Sequence, residues 1–360
     1  MFQTIQLCRA VAAALVVLFH TGQTLAKDKY FGAVASELER LFWFGGEAGV
    51  AFFFVLSGFI ITYIHAADFN HPERLFSYVR KRATRIYPTY WVIFTAVLLA
   101  AVSAPSLRGN LPPDVATFIK ALLLLPQDKA VLGGTGAPVL DVAWSLQYEL
   151  VFYAAFGVAI VSFRAFCIVA IAFFVNLLMQ WGAAPAVFPW SFLSSHLILL
   201  FVMGMLAAVA VRSKLRMVNA GWACLIFGAG FFAAGAVATL FRDQGRTVLI
   251  DLSYGAISAL LIFALTRYEA GRKTAIDSPL GSLLGDSSYA LYLLHFPLVS
   301  VLCKLAVLTL PIHAGSALLA FAVIVVICIS AGAVFNLLIE KPLLQALTPR
   351  RAATLSSVKL

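Results

Sequence analysis

Charge is what this sequence has little of. Asp, Glu, Lys and Arg make up 12% of its 360 residues, about half the share of an ordinary soluble domain. Mean hydropathy is +0.95. Such a chain lacks the polar surface to stand in water, so a soluble globular fold is excluded and an integral membrane protein is implied. Long polar stretches are missing too, which leaves no sizeable soluble domain at either end. Cysteine is sparse. Cys8, Cys167, Cys224, Cys303 and Cys328 all fall within apolar runs, where they read as packing residues and not as disulfides or metal ligands. No metal is expected. No internal repeat is evident, which counts against the repeated halves of many transporters.

What the sequence has is apolar runs of spanning length. A span needs roughly 20 apolar residues. Ten candidates centre on 5–25, 42–65, 86–104, 142–161, 165–182, 191–211, 217–240, 248–266, 286–310 and 316–339. The first reads as an uncleaved helix and not a signal peptide, because its apolar region ends in His20 and nine more spans follow. The fold expected is all-α, a polytopic transmembrane bundle. "VATFIKALLLLP", 115–126, is too short to cross and is expected to be interfacial or re-entrant. With both termini cytoplasmic, about two-thirds of the 26 Lys and Arg fall on the inner side. The net charge of +10 is therefore topological, and nucleic acid is excluded as a partner. The longest loop, about 105–141, is placed outside.

Ionisable groups inside the spans are costly, so each is a functional hypothesis. Arg9 and His20 are eleven positions apart. At 100° per residue they share one helix face, separated by roughly 16 Å along the axis. Glu149, in "AWSLQYELVFY", falls about 11 Å below the outer surface if its helix enters near Val142. Glu47 falls about 8 Å below it. These depths match that of His20, so a histidine and two carboxylates are expected to share an outer polar layer. On the inner side Arg82 and Arg85, in "RKRATRIYP", form an i, i+3 pair just before the third span, and arginine suits phosphate. Each residue alone has a plainer reading. Arg9 can be a snorkelling positive-inside residue, His20 a hydrogen-bonded structural histidine, and the arginine pair an ordinary basic loop. The combination points further, to a ligand threaded between an inner anion site and an outer acid/base pair.

In these residues the chain resembles the acyltransferase 3 family, membrane O-acyltransferases of bacterial surface polysaccharides. It is most similar to exopolysaccharide acetyltransferases of the succinoglycan type. Arg9 and His20 match the family's Arg, ten residues, His. Phe53, Phe54, Ser57, Gly58 and Phe59 match "FFxxSGF". Arg82, Arg85, Ile86 and Pro88 match its basic motif, and Trp144, Ser145, Leu146 and Glu149 match "WSLxxE". "GDSSYALYLLHFPL", with Ser288, Tyr289, Tyr292, His295 and Pro297, and "IEKP", with Glu340 and Pro342, match its closing motifs. The resemblance covers residues 5 to 342, which implies a transmembrane acyltransferase domain over 1–345 and a short cytoplasmic tail over 346–360. It resembles the stand-alone form, without an appended SGNH-type hydrolase domain.

The resemblance implies transfer of an acyl group, acetyl in most relatives, from cytoplasmic acyl-CoA to a sugar hydroxyl, by a multi-pass protein of the bacterial inner membrane. Expected partners are acyl-CoA, a saccharide or lipid-linked saccharide acceptor, membrane lipid and polysaccharide assembly proteins. Arg82 and Arg85 would hold the coenzyme A phosphates and Arg9 the neck of the cofactor. His20 would act as general base with Glu149 orienting it, and His295 is the alternative base. Glu47, Ser57, Trp144, Tyr148 and Tyr289 are supporting candidates. Ser57 lies far from the level of His20, so it reads as close packing or cofactor contact and not as a nucleophile. A transporter or flippase for a lipid-linked sugar is the competing reading.

Overall fold

In lipid a backbone must satisfy its own polar groups, and long apolar runs of this length do so as helices. The computed structural model describes residues 2–103, 111–180, 187–213, 215, 217, 219–240, 248–272 and 278–347. Among these residues every regular element is helical, and ten helical segments are long and apolar enough to cross a membrane. The main helices are α1 (Gln3–Leu25), α2 (Phe44–His65), α3 (Leu75–Ser103), the short α4 (Val115–Leu122), α5 (Trp144–Val161), α6 (Phe163–Gln180), α7 (Leu197–Arg212), α8 (Ala220–Leu240), α9 (Val248–Ala270), α10 (Ser288–Thr309) and α11 (Ala314–Phe335). Most of the proposed tail, and Arg108 of the long loop, lie outside the described residues.

Small residues decide which helices meet. Gly45 and Gly49 of α2 lie against the backbone carbonyls of Leu15 and Ala12 in α1. Gly58 of α2 lies on the Phe201 carbonyl of α7, and Gly204 of α7 on the Val55 carbonyl of α2. No Cβ fits at these crossings, and close approach of this kind is how helices gain packing energy in lipid. Large rings fill the space beside the glycines. Phe201 stacks between Phe54 and Phe152, with centroid distances of 4.7 and 4.6 Å. Helix α6 buries none of its spanning window and α8 only 17%. Their Phe, Ile and Leu side chains form an outer apolar surface.

The start of α1 is tied to the end of α9. Glu269 accepts from the amides of Gln3 and Thr4, at 2.8 and 2.9 Å, and from the Thr4 hydroxyl at 2.7 Å. It satisfies the orphan donors of the first turn and places negative charge at the positive end of the helix dipole.

Two features differ from the sequence reading. The "RKRATR" run is not a loop ahead of the third apolar run; it is continuous with it in one helix. Helix α3 starts at Leu75, because no breaker intervenes before Pro88. Arg82 and Arg85 therefore lie in its second and third turns. The stretch 115–126 turns back after one short helix. The last carbonyls of α4, those of Ala121, Leu122 and Leu123, accept from Tyr90 (2.7 Å), Trp91 (3.0 Å) and Tyr87 (2.9 Å) of α3. Three polar aromatic tips thus do what water does at an exposed helix end.

Candidate active site

Helices α1, α2, α3, α5 and α10 enclose a cavity of about 410 Å³, within the range of small-molecule sites. Four cations line it, Arg9, Lys81, Arg82 and Arg85, against two carboxylates, Glu149 and Asp286. Arg9 is 8% exposed. Its Nη1 donates to Gln6 Oε1 at 2.7 Å and its Nη2 to Ser288 Oγ at 2.9 Å. Gln6 in turn donates to Asp286 at 2.8 Å. A buried charge needs such partners, and here they fix the guanidinium on the cavity wall.

Arg82 and Arg85 are held differently. The Arg82 guanidinium lies between the Tyr78 and Tyr153 rings, 6.0 and 5.9 Å from their centroids, and its buried Nε has no hydrogen-bond partner. Arg85 lies 3.7 Å from the fully buried Glu340 and 5.3 Å from the Tyr289 centroid. Asn336 steadies Glu340 at 2.9 Å, inside a single π-turn, Asn336–Glu340. Turns of this kind concentrate at functional sites. Tyr289 donates its own hydroxyl to the Ile86 carbonyl at 3.0 Å.

Glu149 faces this cavity. One of its oxygens accepts from Ser57 Oγ at 2.5 Å and from the Tyr153 hydroxyl. Ser57 is thirteen residues, about 20 Å, from the start of α2 at Phe44, so Glu149 shares its level. The sequence reading put Glu149 near the outer surface beside His20, and that pairing does not form. The reason is where α5 begins. The turn Asp141–Ala143 ahead of it is pinned by the Tyr292 hydroxyl, which donates to the Val142 carbonyl at 3.1 Å. Tyr292 is only one turn from the start of α10, so α5 starts inside the protein and its first turns already lie deep.

His20 does not line the cavity. Its ring lies 4.8 Å from Phe19, 5.1 Å from Phe296 and 5.2 Å from the His295 ring, centroid to centroid. His20 Nδ1 and His295 Nε2 are buried and have no hydrogen-bond partner. His295 donates its other nitrogen to the Leu291 carbonyl at 3.2 Å. Between the cavity and this histidine pair stand two rings that line the cavity, Phe53 and Tyr292, 6.0 Å apart and edge to face. Tyr292 also lies 5.8 Å from His295.

The family described as the acyltransferase domain matches residues 2–333. The chain belongs to that family. It is a multi-pass membrane acyltransferase. The exopolysaccharide production protein ExoZ of Rhizobium meliloti (strain 1021) is 30% identical over 311 residues, 85% of this chain and 92% of the relative. The acyltransferase MdmB of Streptomyces mycarofaciens is 26% identical over 376 residues, 95% and 92% of the two chains. No solved structure matches.

The acyltransferase thus brings together Arg9, Arg82, Arg85, Ser57, Glu149 and Tyr289 at one cavity, and His20 with His295 beyond it. Glu149 leaves the expected layer, whereas Gly46 of α2 packs on Phe19 of α1, so Glu47 and His20 lie at one level. Glu47 lies in the first turn of α2. Trp144 and Tyr148 pack on Phe54, each at 6.3 Å, and Tyr148 stacks on Phe192 at 4.1 Å. Gln6, Lys81, Tyr153 and Asp286 were not singled out in the sequence. Only the spacing could have flagged two of them, Gln6 three residues before Arg9 and Tyr153 four after Glu149.

Proposed function

We propose that this acyltransferase moves an acetyl group from cytoplasmic acetyl-CoA to a hydroxyl of a surface or exopolysaccharide sugar, in the bacterial inner membrane with both termini inside. The observation that carries the reading is a cavity lined by four cations whose wall residue Tyr292 lies 5.8 Å from the His295 ring, which lies 5.2 Å from that of His20. The cavity's excess of positive charge suits the phosphates of coenzyme A. Arg82, with its unpartnered Nε, offers charge-assisted hydrogen bonds. Arg9, fixed by Gln6 and Ser288, meets the start of the pantetheine arm. The 16 Å or so from Arg9 to His20 along α1 is comparable to the length of that arm. Glu149, with Ser57 and Tyr153, offsets part of the positive charge on the wall and faces the thioester arm.

The reaction needs one proton transfer. The acceptor oxygen attacks the thioester carbonyl carbon, the C–O bond forms and the C–S bond breaks. His20 takes the hydroxyl proton and delivers it to the departing sulfur. His295, against the His20 ring, steadies the base. The names of ExoZ and MdmB support acyl transfer, and that of ExoZ a polysaccharide setting.

The test joins chemistry to residue. Surface glycan from deletion and complemented strains is compared by mass spectrometry and NMR, with His20→Ala as a third strain. The expected result is an acetyl ester present only on complementation, lost in His20→Ala while that protein still inserts and binds acetyl-CoA. Removal of a general base costs about 10²- to 10⁴-fold in rate. An unchanged glycan in the deletion strain refutes the acceptor, and an active His20→Ala refutes the base.

A further inference from the structure

The four-cation cavity suits the anionic part of a donor and holds nothing for a flat, uncharged end. A second cavity, of about 510 Å³, adjoins it. Its walls come from the start of α1 and the end of α2: Phe2 and Ile5 on one side, Phe59, Ile60, Tyr63 and Ile64 on the other. Helical spacing explains why the two cavities meet. Ile5 and Arg9 are i and i+4 on one face of α1, and Ile60 stands three residues beyond Ser57 in α2. Ile60 lines both cavities.

Rings shape this groove, and neighbouring contacts hold them. Tyr63 stacks on Phe59 with 5.5 Å between centroids and 13° between planes, and Phe2 meets Tyr63 edge to face at 5.9 Å. Phe59 is 1% exposed and belongs to the core. Arg212 of α7 donates to the Tyr63 carbonyl at 3.0 Å, which fixes the last turn of α2. Glu269 pins Gln3 and Thr4, and so the start of α1 beside Phe2. Tyr63 is only partly buried, and its hydroxyl makes no hydrogen bond among the described residues. Ile64 at the edge is 54% exposed, so the groove is open.

We infer that this groove binds the adenine of coenzyme A against the Phe2 and Tyr63 rings, while the phosphates lie beyond Ile60 on the arginines of the first cavity. This rests on the proposed acetyl-CoA donor. In that molecule a single ribose separates the base from the phosphates. An apolar site for the base therefore has to adjoin the cation site, and the shared Ile60 makes these two adjoin. The other occupant open to a groove of this kind is a lipid tail. The groove lies at the helix ends, where headgroups and not tails are found, and aromatic walls favour a planar base through stacking. The free Tyr63 hydroxyl can donate to a ring nitrogen of that base.

The experiment titrates the full chain in detergent, by calorimetry, with coenzyme A and with phosphopantetheine, which keeps the thiol arm and one phosphate but lacks the adenosine. Tyr63→Ala and Phe2→Ala are each expected to weaken coenzyme A by roughly five- to 150-fold, the alanine cost of one base–aromatic stack, and to leave phosphopantetheine unmoved. Tyr63→Phe, which keeps the ring, is expected to retain most of the affinity. Phe2 stands at the start of the chain, so Phe2→Ala carries the test should Tyr63→Ala fail to fold. Equal weakening of both ligands overturns the site, since the change is then a general distortion. Unchanged coenzyme A affinity in the alanine variants also overturns it while leaving the donor standing. Loss of copurifying phospholipid in those variants would then assign the groove to lipid. A wild-type chain that binds neither ligand removes the proposed donor, and the adenine site with it.

Discussion

The two arginines of α3 should separate when mutated, because their surroundings differ. Arg82 has an unpartnered Nε among tyrosines, so its removal leaves no protein charge stranded. If it binds a donor phosphate, Arg82→Ala loses a charge-assisted hydrogen bond of about 1.5–3 kcal/mol. That is roughly a ten- to 150-fold rise in the acetyl-CoA KM, with thermal stability unchanged. Lysine should recover only part, as a point charge cannot copy the guanidinium fork. Arg85 is tied to Glu340, whose side chain is 0% exposed. Arg85→Ala leaves that carboxylate with Asn336 alone, at a cost of up to a few kcal/mol. The Arg85 side chain is itself 39% exposed, so water screens the pair and the cost falls to about 1 kcal/mol. A melting temperature lower by roughly one degree follows. The double variant Arg85→Ala/Glu340→Gln should regain the stability but not the donor affinity. Donor titration in membrane vesicles, beside fluorescence-detected thermal unfolding, reads both quantities. An unchanged donor KM in Arg82→Ala refutes the anion-site argument. Equal melting temperatures for Arg85→Ala and wild type refute the role given to Glu340.

The glycine crossings can be tested against their own control. At Gly204 an added Cβ meets the Val55 carbonyl, whereas at Gly228 it meets nothing within 4 Å. Gly204→Ala should therefore destabilise by about 1–3 kcal/mol and lower activity by moving α2 and Ser57, and Gly228→Ala should do neither. Comparable melting curves for the two would show that α2 and α7 do not cross this closely. Topology has its own measurement. Single cysteines in place of the exposed Ser77 and Lys29, in a background without the native five, should react with an impermeant thiol reagent from the inside and the outside respectively. Acetyl-CoA should then act only from the face that labels the Ser77→Cys variant, and labelling of both from one side would break the ten-span arrangement.

The sequence by itself determined what depends on local pattern. Composition placed the chain in a membrane, runs of about twenty apolar residues marked ten helices, and helical period put Arg9 and His20 on one face of α1. These follow from residues close along the chain, so no partner is needed to read them. The helical start of α3 was not legible because an apolar boundary is not a helix boundary: the basic run before Ile86 carries no breaker, and the helix begins at Leu75. The depth of Glu149 was beyond reach for a stronger reason. It depends on where α5 begins, and that is set by Tyr292 bonding to Val142, 150 positions away. Only the tertiary structure decided that Glu149 joins Ser57 and Tyr153, that His20 meets His295, and that Gln6 and Asp286 hold Arg9. Polar residues such as Gln6 carry no signal until packing removes water and forces each buried charge to find a partner.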